Sequence, residues 1–470
     1  MKDCLIFIFM QRWKDMSTEG QGIVVQENKM GVLPVDKLLL GMAAPIMISM
    51  LVQAFYNVVD SIFVSQLSEN ALNAVSLAFP LQNLMIAVGG GTAMGMNALL
   101  ARSLGAKKQN DADRAANTGV FLALMSFVAF AVVGALGART FFEVQTDVEE
   151  IVNYGTDYAL ICLCCSIGIF MQFCCERLLQ ATGRTSLAMW TQLIGAVINI
   201  ILDPILIFGM FGMPRMEVAG AAVATVVGQI VAAVIGIILN VRHNPEIHLS
   251  LKKIRWHGPT VRQIYRIGVP SIIMQCIGSI MNFAMNMILI GFTTTATAVF
   301  GAYFKLQSFV FMPVFGLNNA MVPIISYNYG ADKPDRVKKT VKLSILTAVI
   351  IMALGVLAFE LIPDVLLSMF NPSAEMLAIG EPALRIIGCH FLLAGFCIVA
   401  GSVCQAIGNP MYSLIVSVCR QLFVLLPAAW LLSQTGQLVL VWLAFPIAET
   451  VSLLMSAFFL RKTLKAVEEK

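Results

Sequence analysis

Charge is scarce in this sequence. Only 12% of its 470 residues are Asp, Glu, Lys or Arg and 58% are hydrophobic, whereas a soluble globular domain is about 25% charged. That balance excludes an ordinary water-soluble fold. The formal net charge of +4 is too small to mark a nucleic-acid binder. Histidine is scarcer still. Three of the four (His243, His248 and His257) fall in one short basic segment, which leaves little from which to build a metal-ligating or Ser/His catalytic group. The eleven cysteines contain no zinc or haem spacing. Ten of them (Cys162, Cys164, Cys165, Cys174, Cys175, Cys276, Cys389, Cys397, Cys404 and Cys419) lie inside or at the ends of apolar runs and read as small packing residues. No Walker lysine follows Gly89-Gly90-Gly91, so that run is no phosphate loop and ATP is not the expected energy source; close helix approach explains it better. The short apolar patch Leu5 to Met10 lacks a small-residue cleavage site and is not a signal peptide. Residues 1–36 are expected to be a cytoplasmic tail, part of it an upstream start-codon artefact, since Met16 and Met30 follow.

What the sequence has in quantity is long apolar runs. They fall at about 37–64, 73–101, 114–138, 151–181, 186–212, 217–241, 263–291, 296–326, 340–362, 376–407, 412–433 and 437–460, each long enough for a helix to cross a bilayer. Lys and Arg crowd into the loops after even-numbered runs: Arg102, Lys107 and Lys108; Arg177 and Arg184; Arg242, Lys252 and Lys253; Lys333, Arg336 and Lys338; Arg461 and Lys462. The alternate loops hold only Arg139, Arg215 and Arg385 among several acids. By the positive-inside rule both termini are expected in the cytoplasm. The chain also repeats itself at a constant offset of 225: Pro45 with Pro270, Asn57 with Asn282, Leu81-Gln82 with Leu306-Gln307, Gly105-Ala106 with Gly330-Ala331, Gln180-Ala181 with Gln405-Ala406, Thr225 with Thr450. Six spans per half make the two halves parallel, a layout suited to alternating access. The expected fold is an all-α membrane protein of twelve transmembrane helices in two parallel six-helix lobes with a central cleft: residues 37–241 and 263–461, a cytoplasmic linker at 242–262 and a tail at 462–470.

The first span, PIMISMLVQAFYNVVDSIFV from Pro45 to Val64, carries Asp60 near its far end, with Asn57 and Gln53 one and two turns back. A carboxylate in hydrocarbon costs about 2.5 to 3.5 kcal/mol on insertion scales, so one retained there is a functional candidate.

AFYNVVDSIFV after Pro45, Leu-Gly-Ala at 104–106, QATGRT at 180–185, NIILDPILIFG at 199–209, GAAVAT at 220–225, PIISYNYGA at 323–331 and QAIGNP at 405–410 together resemble the MATE (multidrug and toxic compound extrusion) transporters over residues 37–460. The resemblance implies two six-helix lobes exporting cationic or amphipathic organic compounds in exchange for protons or sodium. It also implies a cation site in the first lobe made by Asp60, Asn199, Asp203 and Thr225, and a bend of the first helix at Pro45. A structural alternative stands beside each role: Asp60 as a hydrogen-bond partner for neighbouring helices, Asp203-Pro204 as a helix-shaping pair, Pro45 as a packing irregularity.

The residues themselves agree with that set. Asp203 and Thr225 each lie some eight residues from the outer ends of the fifth and sixth spans, roughly 12 Å deep at ~1.5 Å per residue. Their oxygens suit sodium, a hard cation, and a carboxylate suits a proton equally well. Under the 225 offset Asp60, Asn199 and Asp203 become Met285, Val424 and Ala428, so the acidic site belongs to the first lobe alone. In the second lobe Lys305, Arg420 and Glu449 are buried ionisable residues, and a Glu449–Arg420 or Glu449–Lys305 pair would neutralise charge there. Glu176-Arg177 reads as an interfacial pair and His390 as a core histidine. Phe304, Phe309, Phe311, Met312 and Phe315 suit a promiscuous pocket for flat cations if they line the cleft, and otherwise are ordinary packing or lipid-facing residues.

The expected function is cation-coupled (H+ or Na+) antiport of small organic molecules by a monomer in the cell membrane, without a cofactor or nucleic acid. One alternative is a lipid-linked oligosaccharide flippase, against which twelve spans and an acidic first lobe argue. The other is a membrane-embedded enzyme, for which no catalytic group is evident.

Overall fold

A computed structural model describes residues 28–370 and 372–469, and its described residues are helices and turns without strands. In lipid every backbone N–H and C=O needs an internal partner, which long apolar helices supply. Spans 1 to 6 are Val35–Ser65, Glu69–Gly105, Gln109–Glu143, a bent pair Glu149–Cys164 and Ile167–Ala181, Thr185–Phe208 and Glu217–Arg242. Spans 7 to 12 are Gly258–Ile290, Thr294–Gly330, Pro334–Leu361, a bent pair Ala374–Gly388 and Phe391–Ile407, Pro410–Ser433 and Ala444–Glu468.

The repeat seen in the sequence is a repeat of form. Spans 2 and 8 start and stop 225 residues apart, and spans 4 and 10 break at equivalent places, by 44° and 47°. Equivalent turns follow. Lys107 (φ 58°) matches Asp332 (φ 57°), and Gly183 (φ 82°) matches Gly408 (φ 99°), all in the left-handed region. The halves differ in span 11, where Cys419–Leu425 winds as a π-helix that span 5 lacks.

The lobes meet along span 1 against span 8 and span 2 against span 7. At the end carrying both described chain ends and the basic loops, hereafter the basic end, they touch backbone to backbone. A Cβ on Gly105 would lie 1.9 Å from the Tyr327 carbonyl oxygen, one on Gly330 2.1 Å from that of Arg102, and one on Gly95 2.1 Å from that of Ile264. Backbone contact continues toward mid-span, where a Cβ on Gly316 would lie 2.7 Å from the Met47 Cα and one on Gly91 2.9 Å from the Gly268 carbonyl oxygen. Farther from the basic end side chains meet, with Asn83 Nδ2 donating to Ser279 Oγ at 2.6 Å and Phe55 edge to face with Phe309 at 5.8 Å.

Two boundaries differ from expectation. Residues 28–36 are not a tail: Lys29–Val32 is a short helix with Met30 fully buried, and span 1 starts at Val35. The C-terminal segment 462–470 mostly continues the last helix, to Glu468. Polarity hid both, because neither stretch is apolar enough to read as a span. Leu5–Met10 and Met16 lie outside the described residues. The linker is pinned to the start of span 3, where Asp113 Oδ1 accepts from His248 N at 2.9 Å and Asn117 Oδ1 from Ser250 N at 3.0 Å.

Candidate functional site

Three helices of the first lobe bring the polar residues together. Spans 5 and 6 approach so closely that a Cβ on Gly228 would lie 2.7 Å from the Gly195 carbonyl oxygen, and one on Gly195 3.0 Å from that of Gly228. Small residues permit that approach. It sets Asn199 of span 5 against Thr225 of span 6, with Nδ2 donating to Oγ1 at 3.2 Å. One turn on, Asp203 is completely buried and its Oδ1 accepts from the same amide at 3.4 Å. Asp60 faces this group from span 1, near enough that its charge acts on Asp203.

Among the described residues acceptors outnumber donors here. Asp60 Oδ1, Asp203 Oδ2 and Asn199 Oδ1 are all sealed from solvent without a hydrogen-bond partner. Buried acceptors left unpaired are costly, and two like charges more so. A cation or a proton shared among these oxygens would satisfy them, and three hard oxygens with the Thr225 hydroxyl form a donor set that a small monovalent cation fits.

The other expected residues divide. Gln53 does belong to the surroundings: its Oε1 accepts from Gln192 Nε2 at 2.8 Å, tying span 1 to span 5. Asn57 lies on an exposed part of span 1. Pro45 sits inside a helix that runs unbroken from Val35 to Ser65. In the second lobe Arg420 Nη1 and Glu449 Oε2 pair at 3.0 Å, with Glu449 buried. Lys305 is elsewhere, exposed and 6.0 Å from the centre of the Phe370 ring. Apolar Met285 stands fully buried where Asp60 has its repeat counterpart. Glu176 and Arg177 do not bond to each other, since neighbours on a helix point apart; Glu176 accepts from Gln172 at 2.9 Å and Arg177 donates to Gln180 at 3.0 Å. His390 is buried beside Phe391 and Phe445.

Three neighbours were not evident from sequence. Tyr56 stands one turn before Asp60 on span 1 and close enough to both carboxylates that their charges act on it. Gln82 of span 2 donates to the Tyr158 hydroxyl at 2.7 Å, and Tyr158 also feels Asp60. The i, i+4 spacing of Tyr56 and Asp60 was the available signal.

Comparison with known proteins gives one consistent result. The family model MatE matches residues 45–205 and 270–431. The FAD transporter of Shewanella oneidensis is 26% identical, covering 88% of this chain and 92% of its own length. Multidrug export protein MepA of Staphylococcus haemolyticus is 25% identical over 90% and 92%, and the probable multidrug resistance protein YoeA of Bacillus subtilis 27% over 87% and 90%. Among solved structures, an outward-facing multidrug resistance MATE transporter of the MOP superfamily superposes with TM-score 0.89 at 25% identity, over 95% of this chain and 99% of that one. A crystal structure of MATE in complex with MaL6 matches with the same TM-score and identity, over 95% and 100%.

Proposed function

Because the chain belongs to the MatE family of transporters, we propose that it is a cation-coupled antiporter that exports amphipathic or cationic organic compounds across the cell membrane by alternating access. Both termini then face the cytoplasm, the protein works as a monomer, and it carries its substrate without changing it. The observation that bears most weight is the group of three buried, unpartnered oxygens of Asp60, Asn199 and Asp203. Such a group is stable only when something positive joins it, so its occupancy and the shape of the first lobe are linked.

The contacts at Gly105, Gly330 and Gly95 close the basic end. With that end cytoplasmic, the described state faces outward, and a proton or sodium ion from outside would reach Asp60 and Asp203. Neutralising them removes the repulsion between spans 1 and 5 and favours release of the exported compound. Inward rocking, followed by binding of the next molecule, favours loss of the cation. Coupling requires only that the cation bind one state better than the other. The relatives named for drug export and for FAD bracket the substrate.

The test is efflux of ethidium, and separately of FAD, from proteoliposomes under proton or sodium gradients imposed one at a time. The protein should respond to at least one gradient, and Asp60→Asn should lose that response. Equal flux by wild type and Asp60→Asn under both gradients would remove Asp60 from coupling.

A further inference from the structure

The segment ahead of span 1 makes contacts with both lobes at the basic end. On the first-lobe side, Asn28 Nδ2 donates to the Thr182 carbonyl, in the turn between spans 4 and 5, at 3.3 Å, and also bonds the carboxylate of Glu246 in the linker. Asn28 Oδ1 caps the short helix by accepting from Met30 N at 2.8 Å. The carbonyls that follow turn to the second lobe. Met30 O accepts from Asn328 Nδ2 at 3.0 Å and Arg336 Nη2 at 2.9 Å, Gly31 O from Lys333 Nζ at 3.0 Å, and Leu33 O from Arg336 Nη2 at 2.7 Å. Arg336 is itself oriented by Nε donating to Asn328 Oδ1 at 3.0 Å.

A helix of four residues has no stability of its own. Its order comes from the two lobes it touches, so whatever separates them at this end must break one set of these bonds. The first-lobe side is the better held, because the segment runs directly into span 1 and Lys29 packs on Gly183. On the second-lobe side no chain connection backs the contact, which consists of the bonds from Arg336, Lys333 and Asn328 to main-chain carbonyls.

We propose that residues 28–33 are a strap across the basic end, and that it must let go of Asn328, Lys333 and Arg336 each time that end opens. The inference rests on the alternating-access reading above. It makes Arg336 a positioning residue for the transport cycle, at the opposite end of span 1 from Asp60. The strap closes what the Gly105 and Gly330 contacts bring together, and its release is a step separate from cation binding.

Two measurements test it. In the first, Gly31→Cys and Tyr327→Cys, whose positions adjoin (a Gly31 Cβ would lie 3.0 Å from the Tyr327 ring), are joined by a short reducible bis-thiosulfonate. Flux of ethidium in proteoliposomes should fall to the level of empty liposomes on cross-linking and return on reduction, while the two single-cysteine variants are unaffected. Undiminished flux with nearly all protein cross-linked would overturn the strap. Gradient-driven flux before cross-linking reports separately on the antiport reading. In the second, which needs no transport, Ile264→Cys reports opening, since Ile264 is fully buried where span 7 crosses Gly95. Adding Arg336→Gln should raise its maleimide labelling rate in nanodiscs, above the background of native thiols, by about tenfold or more, the effect of a net loss of one charge-assisted bond. An unchanged rate in a variant that melts like the parent would overturn the proposal.

Discussion

Asn199 offers one amide to two acceptors: its Nδ2 reaches Asp203 Oδ1 at 3.4 Å and Thr225 Oγ1 at 3.2 Å, while its own Oδ1 has no partner. The amide carries two N–H donors and directs one to each oxygen, both over long distances. On the antiport reading proposed above, Asn199 supplies a donor to the carboxylate in one state and an oxygen to a cation in the other. Asn199→Ala should remove both. A hydrogen bond to a charged group is worth about 1.5–3 kcal/mol, so coupled flux should fall about tenfold or more with expression retained. If sodium is the coupling ion, the loss should appear as a higher sodium concentration for half-maximal flux. Wild-type flux in Asn199→Ala would reduce this residue to packing.

Tyr56 stands one turn from Asp60 and one turn from Gln53, whose Oε1 accepts from Gln192. Its hydroxyl is a rotatable donor on the same face of span 1 as Asp60. Tyr56→Phe keeps the ring's packing and removes only that group. Cation-driven efflux should drop several-fold while thermal stability changes little, as expected when a bond worth about 1 kcal/mol is lost at an exchangeable site. Identical flux would make Tyr56 a bystander.

Much of this was legible in the sequence, for physical reasons. A lone acid in an apolar run stands out because hydrocarbon makes it expensive, so Asp60 and Asp203 announce themselves. The constant offset of 225 survives because both lobes fold by the same helix ends and turns. Tyr56, Gln82 and Tyr158 did not stand out, since uncharged polar residues are ordinary in such helices. Nor did depth along a span say which way a side chain points: Lys305 and Arg420 were equal candidates for Glu449 until helix rotation decided for Arg420. The short helix at Lys29–Val32 was illegible because its order is entirely tertiary. The bends at Cys165-Ser166 and Cys389-His390 contain no proline to mark them.

Backbone contact at Gly105 leaves no room for a methyl group, since its Cβ would sit 1.9 Å from the Tyr327 carbonyl oxygen. Gly41 is the internal control, with nothing within 4 Å of its Cβ position in span 1. Overpacking of this kind costs about 1–3 kcal/mol. Gly105→Ala should therefore lower thermal stability in detergent and shift the lobes apart at the basic end, read by faster labelling of Ile264→Cys. Gly41→Ala should be neutral or slightly stabilising. Equal behaviour of the two would mean that the basic end is not tightly closed.

Arg420 and Glu449 form a charge pair with Glu449 almost sealed and its Oε1 without a partner. Removing one member strands the other, at a cost of about 3–5 kcal/mol, whereas an apolar pair of similar volume is often tolerated. Arg420→Met alone and Glu449→Leu alone should each melt well below wild type. The double variant should recover most of the loss and retain cation response, because the proposed coupling group lies in the first lobe. A double variant that folds but has lost coupling would instead place this pair in the transport mechanism.

At the basic end, burial pushes the Glu246 carboxyl up from its ordinary value of 4.5, with the Asn28 amide, Arg184 and Lys29 pulling it partly back. Its folded state therefore holds a proton more tightly than the unfolded chain does. The sign follows from linkage: this group adds stability as pH falls through its raised folded value, fully so below 4.5, and that contribution is lost as pH rises through the raised value. Lys29, pushed down by burial and Arg184 and raised by Glu246, acts in a separate window. It adds stability as pH climbs from its lowered folded value toward 10.5. Glu246→Gln removes the acidic window and keeps a bond to Asn28 available. Thermal melts at neutral and mildly acidic pH should show wild type gaining on Glu246→Gln as the solution is acidified. A gap between the two proteins that does not vary with pH would mean that Glu246 titrates alike in the folded and unfolded chains.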